Sequence, residues 1–204
     1  MARNFMCTKT DPVVETKAGK LRGFQLDGTY VFHGVKYADA KRFHQPTPVE
    51  PWEGIKNALA YGYVCPMLQQ DQPSNELMVP HRYWPLDENC QYLNIWTQHL
   101  DPNAKKPVLV WLHGGGFAAG SSIEHIAYEG ENMSKYGDVV VISLNHRLNI
   151  LGYLDLSPFG EEYKNSGNAG NADMVAACSG FTKISQTSAA TRKTSRCSAS
   201  PAAV

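Results

Sequence analysis

No apolar run in the 204 residues approaches the roughly 18 needed to cross a bilayer. The longest, Pro107 to Leu112 and Val139 to Leu144, have the length of strands. The start, Met1 to Lys9, lacks the apolar stretch of a secretory signal, so a cytoplasmic location is expected. Net charge is missing as well: 19 Lys and Arg face 19 Asp and Glu, which excludes a chain that coats nucleic acid through its phosphates. With 43% apolar and 19% charged residues the chain is not a disordered one, and it carries material for one sizeable core. No metal-binding or cofactor-binding motif is present, so neither kind of group is expected.

The neutrality is a cancellation. Residues 1–177 hold 15 Lys and Arg against 19 Asp and Glu, a balance of −4. Residues 178–204 hold Lys183, Arg192, Lys193 and Arg196 and no acid, a balance of +4. The same boundary divides composition. The last 27 residues contain six Ser, four Thr and five Ala but only one Phe, one Ile and one Val, without periodic apolar pattern. This tail is expected to be disordered and to add little to a core.

Before that boundary the chain reads as strands and turns. Val13 to Thr16, the turn Ala18-Gly19, Lys20 to Leu26, the turn Asp27-Gly28 and Thr29 to Val35 predict a small antiparallel sheet. Pro46, Pro48 and Trp52 mark a proline-stiffened crossing segment. Tyr92 to Thr97, Pro107 to Leu112 and Asp138 to Leu144 are three further strands, the last two apolar enough to be covered on both faces in an α/β sheet. Glu124 to Tyr136 has a weak helical pattern. After Leu112 comes His113-Gly114-Gly115-Gly116-Phe117. Three glycines remove every Cβ, so the backbone can turn sharply and aim N–H groups at something close to it. Acyl transfer needs such donors for its oxyanion, and loops of this kind occur in lipases and esterases. A tight turn and a phosphate cradle are the alternatives. A phosphate loop normally adds a Lys-Ser/Thr pair or GxGxxG spacing, and neither is present.

Five ordered motifs together resemble the type-B carboxylesterase family, to which cholinesterases belong. They are Phe32 to Ala38; Arg42-Phe43 with Pro46, Pro48 and Trp52; Glu88 to Trp96; Trp111 to Phe117; and Asn145 to Leu148 leading to Gly152-Tyr153-Leu154. The resemblance runs from about Val13 to Ala177. It implies the N-terminal part of an α/β-hydrolase fold, hydrolysis of small-molecule carboxylic esters by a Ser, Glu or Asp, His triad, and neither nucleic-acid nor membrane partners. It implies that Gly115 and Gly116 supply two oxyanion N–H groups, with Gly114, His113 and Phe117 in support. It also implies a buried ion pair between Glu88 and Arg147, and a disulfide position at Cys65 and Cys90, for which a reducing cytosol favours free thiols. Trp84 stands near the family's cation-binding aromatic but at a shorter spacing to Cys90, which makes it a packing residue. His81, His125 and His146 read as surface or packing residues. The chain departs from the family at Ala38 to Lys41, where a longer loop is usual.

Family members continue past the Asn168 to Met174 segment into Leu-Gln-Trp, then Gly-Gly-Asp-Pro and a nucleophile elbow, Gly-x-Ser-x-Gly. Nothing in this chain spells that elbow. The genetic code offers a reason. Ala177-Cys178-Ser179-Gly180 written GCC-TGC-AGT-GGN reads CTG-CAG-TGG one nucleotide earlier, which is Leu-Gln-Trp. The same shift permits Gly-Gly-Asp-Pro and Gly-Gln-Ser-Gly-Gly further on. Ten such matches by accident are on the order of one in a million, beyond ordinary motif coincidence. The tail from about residue 178 is therefore expected to be an out-of-frame translation, with the nucleophile codon overlapping Ser200 and Pro201.

On this reading the 204-residue chain keeps the oxyanion loop, lacks nucleophile, acid and base, and has no esterase activity. It is also expected to fold poorly, with Val139 to Leu144 at an unpaired edge. Two other classes stand beside it. One is a catalytically silent binding or adhesion protein of the neuroligin kind. The other is a truncated protein whose basic Ser/Thr tail binds an acidic partner.

Overall fold

Residues 3–67, 82–185 and 190–199 are described in the structure, a computed structural model. Among the described residues, ten strands form two sheets: β1 (Phe5–Met6), β2 (Val13–Glu15), β3 (Lys20–Arg22), β4 (Phe24–Leu26), β5 (Thr29–Lys36), β6 (Ile55–Asn57), β7 (Tyr92–Thr97), β8 (Lys106–Leu112), β9 (Val140–Leu144) and β10 (Ala190–Ala199). The α-helices described beside them are α1 (Glu131–Gly137), α2 (Asn149–Tyr153) and α3 (Ala169–Ser185). The larger sheet has the order β1-β4-β5-β7-β9-β8-β10, and the smaller the order β2-β3-β6.

The expected N-terminal sheet is divided between the two. Lys20 to Leu26 reads as one strand, but the chain leaves the small sheet at Gly23 and enters the large one. A Cβ on Gly23 would lie 2.3 Å from the Val31 carbonyl oxygen, so only glycine allows this close crossing. β4 and β5 then pair across the Asp27-Gly28 turn and continue antiparallel into β7. The small sheet is completed by β6, which runs parallel to β3.

β9 is buried along its whole length, as its unbroken Val-Val-Ile-Ser-Leu run demands. It pairs antiparallel with β7 and parallel with β8, so it is a central strand and not the unpaired edge anticipated from the sequence. β8 is flanked in turn by β10, registered in parallel from Ser195 against Val108 to Ala199 against Leu112. The composition of the tail predicts no regular structure there; its backbone continues α3 to Ser185 and then lies as this strand. Phe32, Val35, Leu93, Ile95, Val108, Val110, Ile142 and Leu144 form the main core with Ala177 of α3. Each such aliphatic or aromatic side chain contributes about 1.5–3 kcal/mol on burial. The weak helical pattern over Glu124 to Tyr136 resolves into a single turn at Ile126–Tyr128 and the seven-residue α1.

Candidate active site

β8 delivers the glycine loop. Beyond Leu112 the chain takes positive φ at Gly115 (114°), Gly116 (60°), Phe117 (63°) and Gly120 (97°). At Gly115 the glycine is obligatory, because a Cβ would fall 2.1 Å from the Ala119 carbonyl oxygen. The turn is closed by the Gly115 carbonyl, which accepts from the N–H groups of Ala118 (3.0 Å) and Ala119 (3.2 Å). Gly116 has nothing within 4 Å of its Cβ position. Among the described residues no acceptor takes the N–H of Gly115 or of Gly116. Two adjacent donors left without a protein partner beside open space can hold an anion or a developing oxyanion.

The loop is anchored at both ends. His113 is buried, and its Nδ1–H donates to the Gly114 carbonyl at 2.8 Å, which fixes the tautomer. Its ring stacks on His146 at 5.1 Å and 15°. Burial, assisted by the neighbouring His146, lowers the His113 pKa to about 4, so this pair is neutral near neutral pH. At the far end the Phe117 carbonyl accepts from Asn149 N–H at 2.7 Å, tying the loop to α2, and its exposed ring meets Tyr153 edge-on at 5.3 Å. Gly114 lies tight against the exit of the loop: a Cβ on Gly120 would sit 2.5 Å from the Gly114 oxygen.

The expected Glu88–Arg147 pair does not form. Arg147 is 1% exposed and grips Asp173 of α3 in a two-pronged ion pair, Nε to Oδ2 at 2.8 Å and Nη2 to Oδ1 at 2.7 Å. The Arg147 backbone N–H and Gln91 Nε2 also donate to Asp173, and Arg147 Nη1 reaches the carbonyls of Lys41 and His44. One buried carboxylate thereby fastens α3, β9's exit and the segment after β5. Glu88 instead pairs with Arg42 toward solvent. The physical reason is burial: a guanidinium removed from water needs a carboxylate equally removed, and Asp173 is 0% exposed whereas Glu88 is not. Asp173 was the residue missed. Its signal was an acid placed between Ala169 and Ala177 on the apolar stripe of a helix.

Cys65 and Cys90 are both buried and are free thiols, so no disulfide joins them. The two thiols act on each other, which lowers the Cys65 pKa and, with burial, pushes that of Cys90 well up. The Leu148 N–H donates to Cys65 Sγ at 3.2 Å. Trp84 packs edge-on against Tyr61 and donates from Nε1 to the Tyr61 carbonyl at 3.2 Å. His146 belongs to the stacked pair, His125 lies against the Tyr128 ring, and His81 is outside the described residues. A cavity of about 390 Å³ lies away from the loop, between the small sheet, the proline segment and α3.

A family model for the carboxylesterase family matches residues 10–179. Para-nitrobenzyl esterase of Bacillus subtilis (strain 168) is 38% identical over 173 residues, covering 82% of this chain and 34% of the relative. Phenmedipham hydrolase of Pseudarthrobacter oxydans is 41% identical over 150 residues, covering 71% and 30%. Among solved structures, an esterase from Clostridium hathewayi, described as able to hydrolyse aliphatic aromatic polyesters, superposes with a TM-score of 0.93 at 58% identity, over 97% of this chain and 39% of its own. The Geobacillus stearothermophilus carboxylesterase EST55 at pH 6.2 gives a TM-score of 0.80 at 34% identity, over 92% and 37%. The chain thus spans about a third of the length of the curated relatives it matches. With most of its length inside the family match and its sheet superposing on solved esterases, the chain belongs to the carboxylesterase family and carries part of its α/β-hydrolase fold.

Proposed function

We propose that this chain is the N-terminal part of a serine carboxylic ester hydrolase whose reading frame is broken near Ala177, and that the 204 residues as they stand are inactive. The observation that carries the reading is the pair of acceptor-free N–H groups at Gly115 and Gly116 at the end of β8. β10 supports it. Its last registered residue, Ala199, stands opposite Leu112, one residue before His113, and the nucleophile codon of the neighbouring frame overlaps Ser200 and Pro201, directly after that strand. The family match ending at residue 179 supports a break at the same place.

In the in-frame protein the elbow serine attacks the ester carbonyl and gives its proton to the triad histidine. Gly115, Gly116 and the N–H following the serine hold the oxyanion, each donor contributing about 2.7–4 kcal/mol to the transition state. His113, Gly114 and Phe117 keep the loop in its left-handed turn. Substrates are carboxylic esters bearing aromatic groups, in keeping with the names of the para-nitrobenzyl esterase and the polyester-hydrolysing relative. The test compares the 204-residue chain with the product of the same locus after one nucleotide is restored at the Ala177 codon, using para-nitrophenyl butyrate. The restored protein is expected to turn over and the 204-residue chain to show none. Turnover by the 204-residue chain that is abolished by a serine-directed organophosphate would contradict the proposal.

A further inference from the structure

We propose that the segment Cys65-Pro66-Met67 is a strap holding the exit of the glycine loop, and that Met67 and Asn149 are positioning residues for the Gly115 and Gly116 donors. Each of its three consecutive residues takes one hydrogen bond from the loop or from the turn beside it. The Leu148 N–H donates to Cys65 Sγ at 3.2 Å, Asn149 Nδ2 to the Pro66 carbonyl at 2.8 Å, and the Gly120 N–H to Met67 Sδ at 3.2 Å. Asn149 lies in the left-handed region at φ 48°, a conformation that residues other than glycine, Asn and Asp seldom adopt. There its backbone N–H reaches the Phe117 carbonyl at 2.7 Å while its carboxamide reaches Pro66. Phe117 and Gly120, the two ends of the loop's second half, are thus tied to one strap, the first through Asn149 and the second through the Met67 sulfur.

The bond to Met67 bears on the donors through a single peptide group. The Gly120 N–H belongs to the Ala119–Gly120 peptide, and the carbonyl oxygen of that peptide is the atom a Cβ on Gly115 would meet at 2.1 Å. On its other side a Cβ on Gly120 would lie 2.5 Å from the Gly114 oxygen and 2.9 Å from His113 Nδ1. A planar peptide turns as one piece, so releasing its N–H lets its carbonyl rotate against Gly115. A thioether is a weak acceptor on a side chain with three rotatable bonds, and Met67 is half-buried, which makes this the softer of the two ties. A Gly120 N–H deprived of the sulfur needs another partner, and the peptide plane shifts to find one. The hold on the loop follows from these contacts alone; its effect on turnover rests on the oxyanion role proposed above.

The test uses three variants. Met67→Leu keeps the bulk and deletes the acceptor, Met67→Gln restores an acceptor on a chain of similar length, and Asn149→Gly keeps the left-handed backbone and deletes only the carboxamide. In the 204-residue chain, NMR with glycine-selective isotope labelling reads the amides of Gly115, Gly116 and Gly120. Met67→Leu is expected to speed exchange of the Gly120 amide proton and to move the Gly115 and Gly116 resonances, and Met67→Gln to return them toward their original positions. In the frame-restored protein, Met67→Leu is expected to lower kcat on para-nitrophenyl butyrate by about tenfold to a hundredfold with KM little changed, since a misplaced donor is felt in the transition state. Asn149→Gly is expected to lower kcat as well, and Met67→Gln to recover most of the loss. Gly115 and Gly116 resonances that stay in place in Met67→Leu, or an unchanged kcat, overturn the proposal. A restored protein without turnover in any form sinks the esterase reading instead, and the glycine resonances then decide the strap by themselves; a 204-residue chain without a dispersed spectrum leaves the decision to kcat.

Discussion

The two halves of α3 differ sharply in how they meet the sheet. From Ala169 to Ala177 the inward residues are fully buried, and Asp173 holds Arg147 with a network that reaches Gln91, Lys41 and His44. From Cys178 to Gly180 two residues are exposed and the third borders a cavity. A helix shaped by the core it covers places bulk wherever its stripe faces inward. The first half obeys that rule and the second does not, which is the structural counterpart of the change in charge and composition at the same point.

Breaking the first half should have the largest effect. Asp173→Ala leaves a buried guanidinium without its partner, and a loss of about 3–5 kcal/mol is expected, measured as the shift of a urea midpoint at constant slope. Acid is the next most severe challenge. His113 has its pKa lowered to about 4 by burial, against about 6.5 in the unfolded chain. Between these values the unfolded state binds the proton that the folded state refuses. Stability is therefore complete above about pH 6.5 and falls as the pH drops to about 4, by on the order of 3 kcal/mol from this group. Urea unfolding at pH 7 and pH 4.5 measures it, and His113→Asn should flatten the difference.

Repairing the second half should give a smaller change of opposite sign. Gly180→Ala meets no clash and removes a helix-interior glycine, so a gain of up to about 1 kcal/mol is expected in the same assay. Glu88→Gln should be smallest of all. Its pair with Arg42 faces solvent, and no resolvable shift of the urea midpoint is expected. A large loss there would mean that the outer pair, not Asp173, fastens these segments.

The strands of the core were legible because their apolar runs are continuous, as at Val140–Leu144, or bounded by unambiguous turns, as at Asp27-Gly28. The glycine loop was legible for a related reason: three missing Cβ atoms in a row permit few backbone paths. The division of the N-terminal strands was not, since Gly23 breaks a strand only because Val31 approaches it from a distant part of the fold. The partner of Arg147 was hidden likewise. Nothing in the sequence sets Asp173 above Glu88 as its partner, because which carboxylate is buried depends on how α3 docks, a fact of tertiary packing. The free Cys65 and Cys90 show the same limit, as their proximity was expected and their bonding state was not fixed by it.

The proposed break in reading frame near Ala177 is open to one decisive measurement, the nucleotide sequence from the Ala177 codon to the Val204 codon. A break there requires codons that, read one nucleotide earlier, spell Leu-Gln-Trp at 178–180 and Gly-Gln-Ser-Gly-Gly ending over residues 202–203. Codons that cannot spell both would contradict it.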